Sequence, residues 1–186
     1  MSFAGAEPLV SLVDRAVAHD DVEQIVDELR TGLCALIRSA SVKLPEEFHR
    51  TCTDHYARRL IHRDDARGYS VVAMTWAAGQ ATPLHDHGGM WCVEGVWDGS
   101  IDVQQYELIE QREDRYRFEK RNSFQAGIGS AGCLIPPHEY HRIANRSSDT
   151  AISIHIYGGD MNHCAVFEPA GGDWFVRHEK SLGLDL

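Results

Sequence analysis

The sequence predicts a mainly β protein, in which a helical N-terminal layer packs against an antiparallel sandwich or small barrel. Two observations carry this prediction. Apolar residues recur at helical spacing up to about residue 65, and from about Tyr69 the chain changes to short β-like runs separated by Gly, Pro and Asn. With 186 residues and no internal repeat, we expect a single domain over 1–186, mainly helical over 1–65 and a β-barrel over 66–186.

The helical layer is predicted from two apolar stripes and one helix start. Apolar side chains recur at helical spacing from Leu9 to Val17 and from Ile25 to Ile37. The segment Pro45-Glu46-Glu47 is typical of a helix first turn, because proline fits that position and acids favour the positive end of the helix dipole. We expect this third helix to carry one stripe made of Phe48, Cys52, Tyr56 and Leu60.

The second part of the chain contains nine predicted strands. Several short strands with no helices between them indicate an antiparallel sandwich or a small barrel. The predicted strands are 69–78, 89–97, 100–108, 115–121, 131–135, 141–145, 150–157, 163–168 and 173–178.

Composition excludes several classes of protein. The chain has 18 Lys and Arg against 28 Asp and Glu, and a net charge of −10 repels nucleic acid. There is no apolar run of membrane-span length and no basic signal-peptide start, so we expect no membrane partner. Five scattered cysteines without a CxxC pair argue against a disulfide scaffold and a structural zinc site, and favour a cytoplasmic location. The oligomeric state is not indicated.

The strongest local feature is a pair of histidines, His85 and His87. Residues i and i+2 of a strand project to the same face, so both imidazoles can bind one metal ion. Gly79, Cys92 and Gly99 extend the pair to the pattern G-x5-H-x-H-x4-C-x6-G. This pattern resembles the first cupin motif, with Cys92 in the position where a glutamate usually supplies a ligand.

Residues 136–145 resemble the second cupin motif, P-x-G-x2-H-x3-N. His141 takes the ligand position and Asn145 follows it in register, whereas His138 replaces the glycine and is expected in a loop at the pocket mouth or in solvent. Two motifs in order predict a cupin, that is, a double-stranded β-helix or jelly-roll barrel. The predicted metal ligands are His85, His87 and His141.

The loss of the glutamate changes the chemistry of the metal. A carboxylate ligand offsets the charge of a ferrous ion, whereas three neutral histidines leave the ion dicationic with open coordination positions. An anionic substrate such as a thiolate then binds directly. Glu94, two residues beyond the glutamate position, stays open as a fourth ligand.

Further segments resemble the cysteine dioxygenase family of cupins, and the resemblance runs from about Tyr56 to Glu168. The run from Ser153 to Tyr157 matches its S-x-H-x-Y strand, and the run from Tyr56 to Leu60 resembles its Y-x-R-x-L element. The resemblance implies an Fe(II) enzyme that adds both atoms of O₂ to the sulfur of a small thiol, most closely L-cysteine to cysteine sulfinate. It implies that Arg58 binds the substrate carboxylate, and it assigns catalytic roles to Tyr157, His155 and Ser153.

Strand alternation gives the S-x-H-x-Y segment a second, independent interpretation. Ile152, Ile154 and Ile156 point one way, so Ser153, His155 and Tyr157 point the other. On the surface such a row is solvated, but inside a barrel it forms a hydrogen-bond chain aimed at the lumen.

The family also implies a candidate thioether between Cys92 and Tyr157, as in its mammalian-type members. The run H-x-H-G-G-M-W here is bacterial-like, and in bacterial members glycine more often replaces the cysteine. The crosslink is therefore left open.

The identity of the thiol is also open. Arginine at the position of Arg58 favours cysteine, whereas glutamine there is associated with 3-mercaptopropionate, and Arg59 leaves open a dicarboxylic thiol such as mercaptosuccinate. Adjacent residues of a helix point about 100° apart, which ranks cysteine first. Three other classes stay open: a cupin enzyme with a carbon substrate, a non-catalytic metal-binding cupin, and a catalytic zinc protein.

Overall fold

The N-terminal layer consists of two helices packed on a sheet. The computed structural model describes Phe3 and residues 5–186, and within them α1 (Glu7–Ala16) and α2 (Val22–Ser39) follow the predicted apolar stripes. The side chain of Asp21 accepts a hydrogen bond from the backbone N–H of Glu23, which caps the start of α2. The helical layer predicted from the sequence is therefore confirmed for these two elements.

The third predicted helix is wrong. Only Glu46–His49 form a single 3₁₀ turn, and the chain then runs extended into strand β1 (Ala57–Asp64). Antiparallel pairing with β2 (Tyr69–Trp76) satisfies the backbone of β1 and outweighs the local helix signals. The helical part ends before residue 57, not at 65, and Tyr56 and Leu60 share no helical stripe with Phe48.

The remaining strands coincide with those predicted, apart from a short strand that carries His85. The described residues contain eleven strands in all, and every pairing between them is antiparallel. The further strands are β3 (Leu84–His85), β4 (Cys92–Asp98), β5 (Ser100–Arg112), β6 (Arg115–Gly127), β7 (Ala131–Leu134), β8 (His141–Ala144), β9 (Ala151–Tyr157), β10 (His163–Pro169) and β11 (Trp174–Ser181).

The strands form two sheets. One has five strands in the order β1-β2-β9-β4-β7, and the other six close on themselves in the order β10-β11-β6-β5-β8-β3. The five-stranded sheet packs its outer face on the helices and turns its inner face toward the second sheet. The predicted mainly β barrel with an N-terminal helical layer is confirmed.

Close packing of α2 on β4 fixes the position of the strand that carries Cys92 and Glu94. A Cβ atom on Gly95 would lie 2.7 Å from a methyl group of Leu33, so only glycine allows this approach. No helix in the described part of the chain is long and apolar enough to cross a membrane.

The motif residues other than histidine hold the turns around the site. Gly79 and Gly99 have φ angles of 82° and 69°, in the left-handed region that favours glycine. Asn145 joins the second motif to the first, because its backbone carbonyl accepts from the amide of Gly79 and its own amide donates to the carbonyl of Gln80. The two motifs therefore act as one structural unit.

Candidate metal centre

Three buried histidines converge inside the barrel. His85, His87 and His141 each offer a ring nitrogen, and these nitrogens lie within 4.8 Å of one another. His85 is in β3 and pairs directly with His141 in β8. His87 lies beyond the end of β3, so the two histidines of the first motif do not share one regular strand. Their rings nevertheless meet, with centroids 5.4 Å apart.

The spacing of the ring nitrogens fits a single ion. The Nε2 atoms of His85 and His141 face each other at 3.1 Å. Two nitrogens that each lie about 2.1 Å from one ion, at about a right angle, are about 3.0 Å apart. The three rings therefore present a donor set of the size that a divalent transition metal requires.

The outer nitrogens of the rings face acceptors. Nδ1 of His85 donates to the carbonyl of Pro83 at 3.1 Å, which leaves Nε2 as the atom with a free lone pair. Glu139 accepts the backbone N–H of His87 at 3.0 Å, and the same oxygen lies 3.9 Å from Nδ1 of that ring. Sequence reasoning missed Glu139, because no motif position marks it.

Burial keeps the three rings neutral. It lowers the pKa of His85 to about 4, and it lowers the pKa values of His87 and His141 well below the usual value, with a further contribution from the neighbouring imidazoles. A neutral imidazole is the form that binds a metal. Burial also raises the pKa of Glu94 to about 8 and that of Glu139 to about 7.

The two residues that the sequence left as rival ligands lie elsewhere. His138 is exposed in the turn before β8. Glu94 is buried, but its Oε1 lies 3.6 Å from Nδ1 of His141, on the far side of the ring from the Nε2 that faces His85. Glu94 is therefore a neighbour of the histidine cluster and not one of its members.

The row of Ser153, His155 and Tyr157 lies on the inner face of β9, opposite the isoleucines. The hydroxyl of Ser153 is 2.8 Å from Nε2 of His155 and accepts from the indole of Trp76 at 2.9 Å. Within the described residues, His155 makes no hydrogen bond to Tyr157, although their rings stack at 6.0 Å. The predicted chain from serine through histidine to tyrosine therefore ends at His155.

Cys92 and Tyr157 are direct partners across β4 and β9. Both are buried, and Cβ atoms of directly paired residues lie about 5 Å apart. Burial raises the pKa values of the thiol and of the phenol well above their usual ranges. The ring of Tyr157 also lies 5.8 Å from that of His87, so the pair borders the histidine cluster.

Arg58 is buried on the inner face of β1, in the same cleft as His85. Its Nη atoms donate to the carbonyls of Met161 at 2.9 Å and Gly183 at 2.8 Å. Its Nε is buried and has no partner in the part of the chain that the structure describes. These contacts come from distant segments that carry no motif, so no sequence signal could have indicated them.

A cleft with about 410 Å³ of empty space, open at its mouth, connects Arg58 with the histidines. Its polar lining includes Lys180, a second cation that sequence reasoning missed, and its described lining contains no Asp or Glu. Other residues that line the cleft are Tyr56, Met74, His155 and Tyr157.

Arg59 lies outside this cleft. It pairs with Ala73 and is on the helix side of the sheet. The interpretation of Arg58 and Arg59 as helix neighbours is wrong, because in a strand they point to opposite faces.

The fold and the three-histidine cluster define a cupin with a candidate metal centre. The profile of the family described as Cysteine dioxygenase type I matches residues 12–170, so this chain belongs to that family. It is a family of cupin dioxygenases, which are typically metal-dependent.

Similar solved structures have the same fold. A protein with a double-stranded β-helix domain from Klebsiella pneumoniae subsp. pneumoniae MGH 78578 aligns with a TM-score of 0.52 at 15% identity, over 67% of this chain and 89% of that one. TT1209 from Thermus thermophilus aligns with a TM-score of 0.48 at 17% identity, over 62% and 94%. At these identities the likeness supports the fold alone.

Proposed function

We propose that this protein is an Fe(II)-dependent thiol dioxygenase that adds both atoms of O₂ to the sulfur of a small carboxylate-bearing thiol, with L-cysteine as the first candidate and cysteine sulfinate as its product. One observation carries the proposal. The cleft that opens onto His85 contains a buried arginine, Arg58, whose Nε has no partner among the described residues. A buried guanidinium with an unused donor is suited to a carboxylate.

In this proposal His85, His87 and His141 hold the iron through Nε2. When bound, the iron supplies the coordination of the thiolate and the activation of O₂. Arg58 binds the substrate carboxylate, and its two carbonyl contacts keep the guanidinium in place. Positioning of this kind contributes a large part of the rate of such a reaction.

Tyr157 and His155 are the polar groups proposed to act beside the reacting sulfur. Both line the cleft, and the phenol is neutral because burial raises its pKa well above the usual value. A neutral phenol donates a hydrogen bond, so Tyr157 is suited to stabilise an oxygen atom that gains negative charge. Ser153 acts on His155 by fixing its ring.

A second candidate substrate is favoured by Lys180. Together with Arg58 it makes two cations in a cleft whose described lining has no acid. Mercaptosuccinate carries two carboxylates, so the pair Arg58 and Lys180 takes the place that Arg59 had in the sequence interpretation. 3-Mercaptopropionate makes the Arg58 contact without an amine, and it stays a third candidate.

The test combines metal analysis and O₂ uptake. Protein purified without oxygen should contain about one iron per chain and should consume O₂ with cysteine, with a sulfinate as the product. Cysteamine, which lacks a carboxylate, is the matched negative substrate. Uptake that is strongest with mercaptosuccinate would replace cysteine as the first candidate. Tightly bound zinc with no O₂ uptake for any thiol would contradict the proposed function.

A further inference from the structure

Three buried polar side chains meet behind the histidine cluster without conventional partners. Oε1 of Glu94 lies 3.6 Å from Nδ1 of His141, and Oε2 of the same carboxyl lies 3.5 Å from Nδ1 of His155. The three residues are 7%, 0% and 2% exposed, respectively. Both Nδ1 atoms and Oε2 have no hydrogen-bond partner in the described chain. Buried polar atoms without partners are costly, so this group is expected to satisfy itself.

Strand register holds the carboxyl in this place. Glu94 in β4 is the direct partner of His155 in β9, two positions along from Cys92 and Tyr157. Directly paired side chains on one face are nearest neighbours. The carboxyl therefore lies between a ring that lines the cleft and a ring of the histidine cluster.

The direction of each hydrogen bond at His155 follows from Trp76. An indole N–H only donates, so Ser153 accepts at its hydroxyl oxygen. The buried Ser153 hydroxyl proton then has one partner left within the described residues, Nε2 of His155 at 2.8 Å. A neutral imidazole that accepts at Nε2 carries its proton at Nδ1. That N–H points toward Glu94.

The same tautomer is required at His141. Its Nε2 faces Nε2 of His85 at 3.1 Å, where a metal needs a free lone pair. The proton of the neutral ring is then on Nδ1, and this N–H also points toward Glu94. Two donors thus converge on one carboxyl with two oxygen atoms.

We propose that Glu94 is a positioning residue, which accepts one N–H from His141 and one from His155 and thereby fixes the tautomers of both rings. The proposal rests on the metal centre proposed above. It links a metal ligand directly to a side chain of the substrate cleft, so a change at Glu94 alters metal affinity and the orientation of His155 together. Carboxylates that orient a metal-bound histidine typically change metal affinity by about 10- to 100-fold.

The variant Glu94→Gln tests this with zinc as a diamagnetic probe. An amide has one oxygen and one NH₂ group, so it cannot accept from both imidazoles. We expect zinc affinity to fall by about 10- to 100-fold. ¹⁵N spectra of the histidine rings should show both His141 and His155 protonated at Nδ1 in the wild-type protein, and His155 protonated at Nε2 in the variant. Glu94→Asp should recover part of the affinity, because it restores two acceptor oxygens.

Glu139→Gln is the matched control. Glu139 is also buried and near the cluster, but it accepts a backbone N–H, so its variant should leave the tautomers of His141 and His155 unchanged. Should Glu94→Gln fail to fold, the wild-type spectra still decide: His155 protonated at Nε2 would overturn the proposal. Unchanged affinity and tautomers in Glu94→Gln, with normal zinc binding by the wild type, would overturn this proposal alone.

Two further outcomes bear on the metal itself. A wild type that binds no metal would overturn the metal centre together with the role of Glu94. A second zinc ion held by Cys92, Glu94 and His155 would overturn the positioning role, because Glu94 would then be a ligand.

Discussion

The two faces of the five-stranded sheet are buried to a similar extent but carry opposite chemistry. Along β9, no residue from Ile152 to Tyr157 is more than 2% exposed. The isoleucines pack on the helices, whereas the alternating polar residues face the second sheet. On β1 the same alternation separates Arg59 from Arg58, which are 6% and 4% exposed. Burial alone therefore does not distinguish core from site.

The difference lies in how polar groups on each face are satisfied. The inner face provides hydrogen bonds to Ser153 and Arg58 from segments distant in sequence, and it brings three histidines within reach of one ion. The helix face offers tight apolar packing, as at Gly95 against Leu33. Substitutions on the inner face should change chemistry at constant stability, and those on the outer face should do the reverse.

The largest effect is expected on the inner face at the metal centre. His141→Ala should lose most of the bound metal and reduce turnover by roughly 1,000-fold or more, because metal coordination contributes several kcal/mol to such reactions. Metal analysis and O₂ uptake measure both. His138→Ala is the control, since His138 is exposed, and it should keep metal and activity. Loss of metal in His138→Ala with retention in His141→Ala would show that the third ligand is misassigned.

A pair of adjacent arginines tests the comparison most directly. Arg58→Gln should lower kcat/KM for cysteine by about 30- to 1,000-fold, since a charge-assisted pair in a desolvated site contributes roughly 2–4 kcal/mol. Thiols without a carboxylate should be little affected. Arg59→Gln, on the opposite face, should leave the substrate preference unchanged and alter only thermal stability. Equal losses for all thiols in Arg58→Gln would mean that the residue supports the fold and not substrate binding.

Tyr157→Phe removes one hydroxyl from the inner face without changing the packed ring. Turnover should fall by about 5- to 150-fold, as one hydrogen bond contributes roughly 1–3 kcal/mol. Metal content and the melting temperature should stay at wild-type values. If turnover is unchanged, the tyrosine is a packing residue.

On the outer face, Ile154→Val removes one methylene group from the apolar core between sheet and helices. The free energy of unfolding should fall by about 0.5–1.5 kcal/mol, which lowers the melting temperature by a few degrees. The ratio kcat/KM should not change. A change in substrate preference without a loss of stability would show that the two faces are not separate.

The smallest effect concerns the Cys92 and Tyr157 pair. If a thioether forms between these paired residues, denaturing electrophoresis should show a faster-migrating form that Cys92→Ser abolishes. Intact-mass measurement should then show the loss of two hydrogen atoms in the wild type only. A single band of unmodified mass would mean that the two side chains only pack together.

The sequence predicted most of the fold because its signals are local. Glycines at turns such as Gly99, alternation along β9 and the apolar stripes of α1 and α2 each report on a few neighbouring residues. The strand β1 was missed because its stability comes from pairing with β2, whereas its own sequence has arginines and leucine that also suit a helix.

The candidate site was predicted unevenly for the same reason. The spacing of His85, His87 and His141 follows from motif registers that the chain encodes directly. The positioning role of Glu94, and the presence of Glu139 and Lys180 near the site, depend on strand register and tertiary packing, which no local pattern marks.

The contact between Arg58 and the carbonyl of Gly183 spans 125 positions of the chain. At a synthesis rate of about 5–20 residues per second, roughly 6 to 25 seconds separate the translation of these two residues. The proposed carboxylate anchor is therefore completed long after its own strand has been made. A nascent chain that has already formed β1 and β2 still lacks an ordered substrate cleft, so the capacity to bind substrate should be acquired only once the segment around Gly183 has left the ribosome.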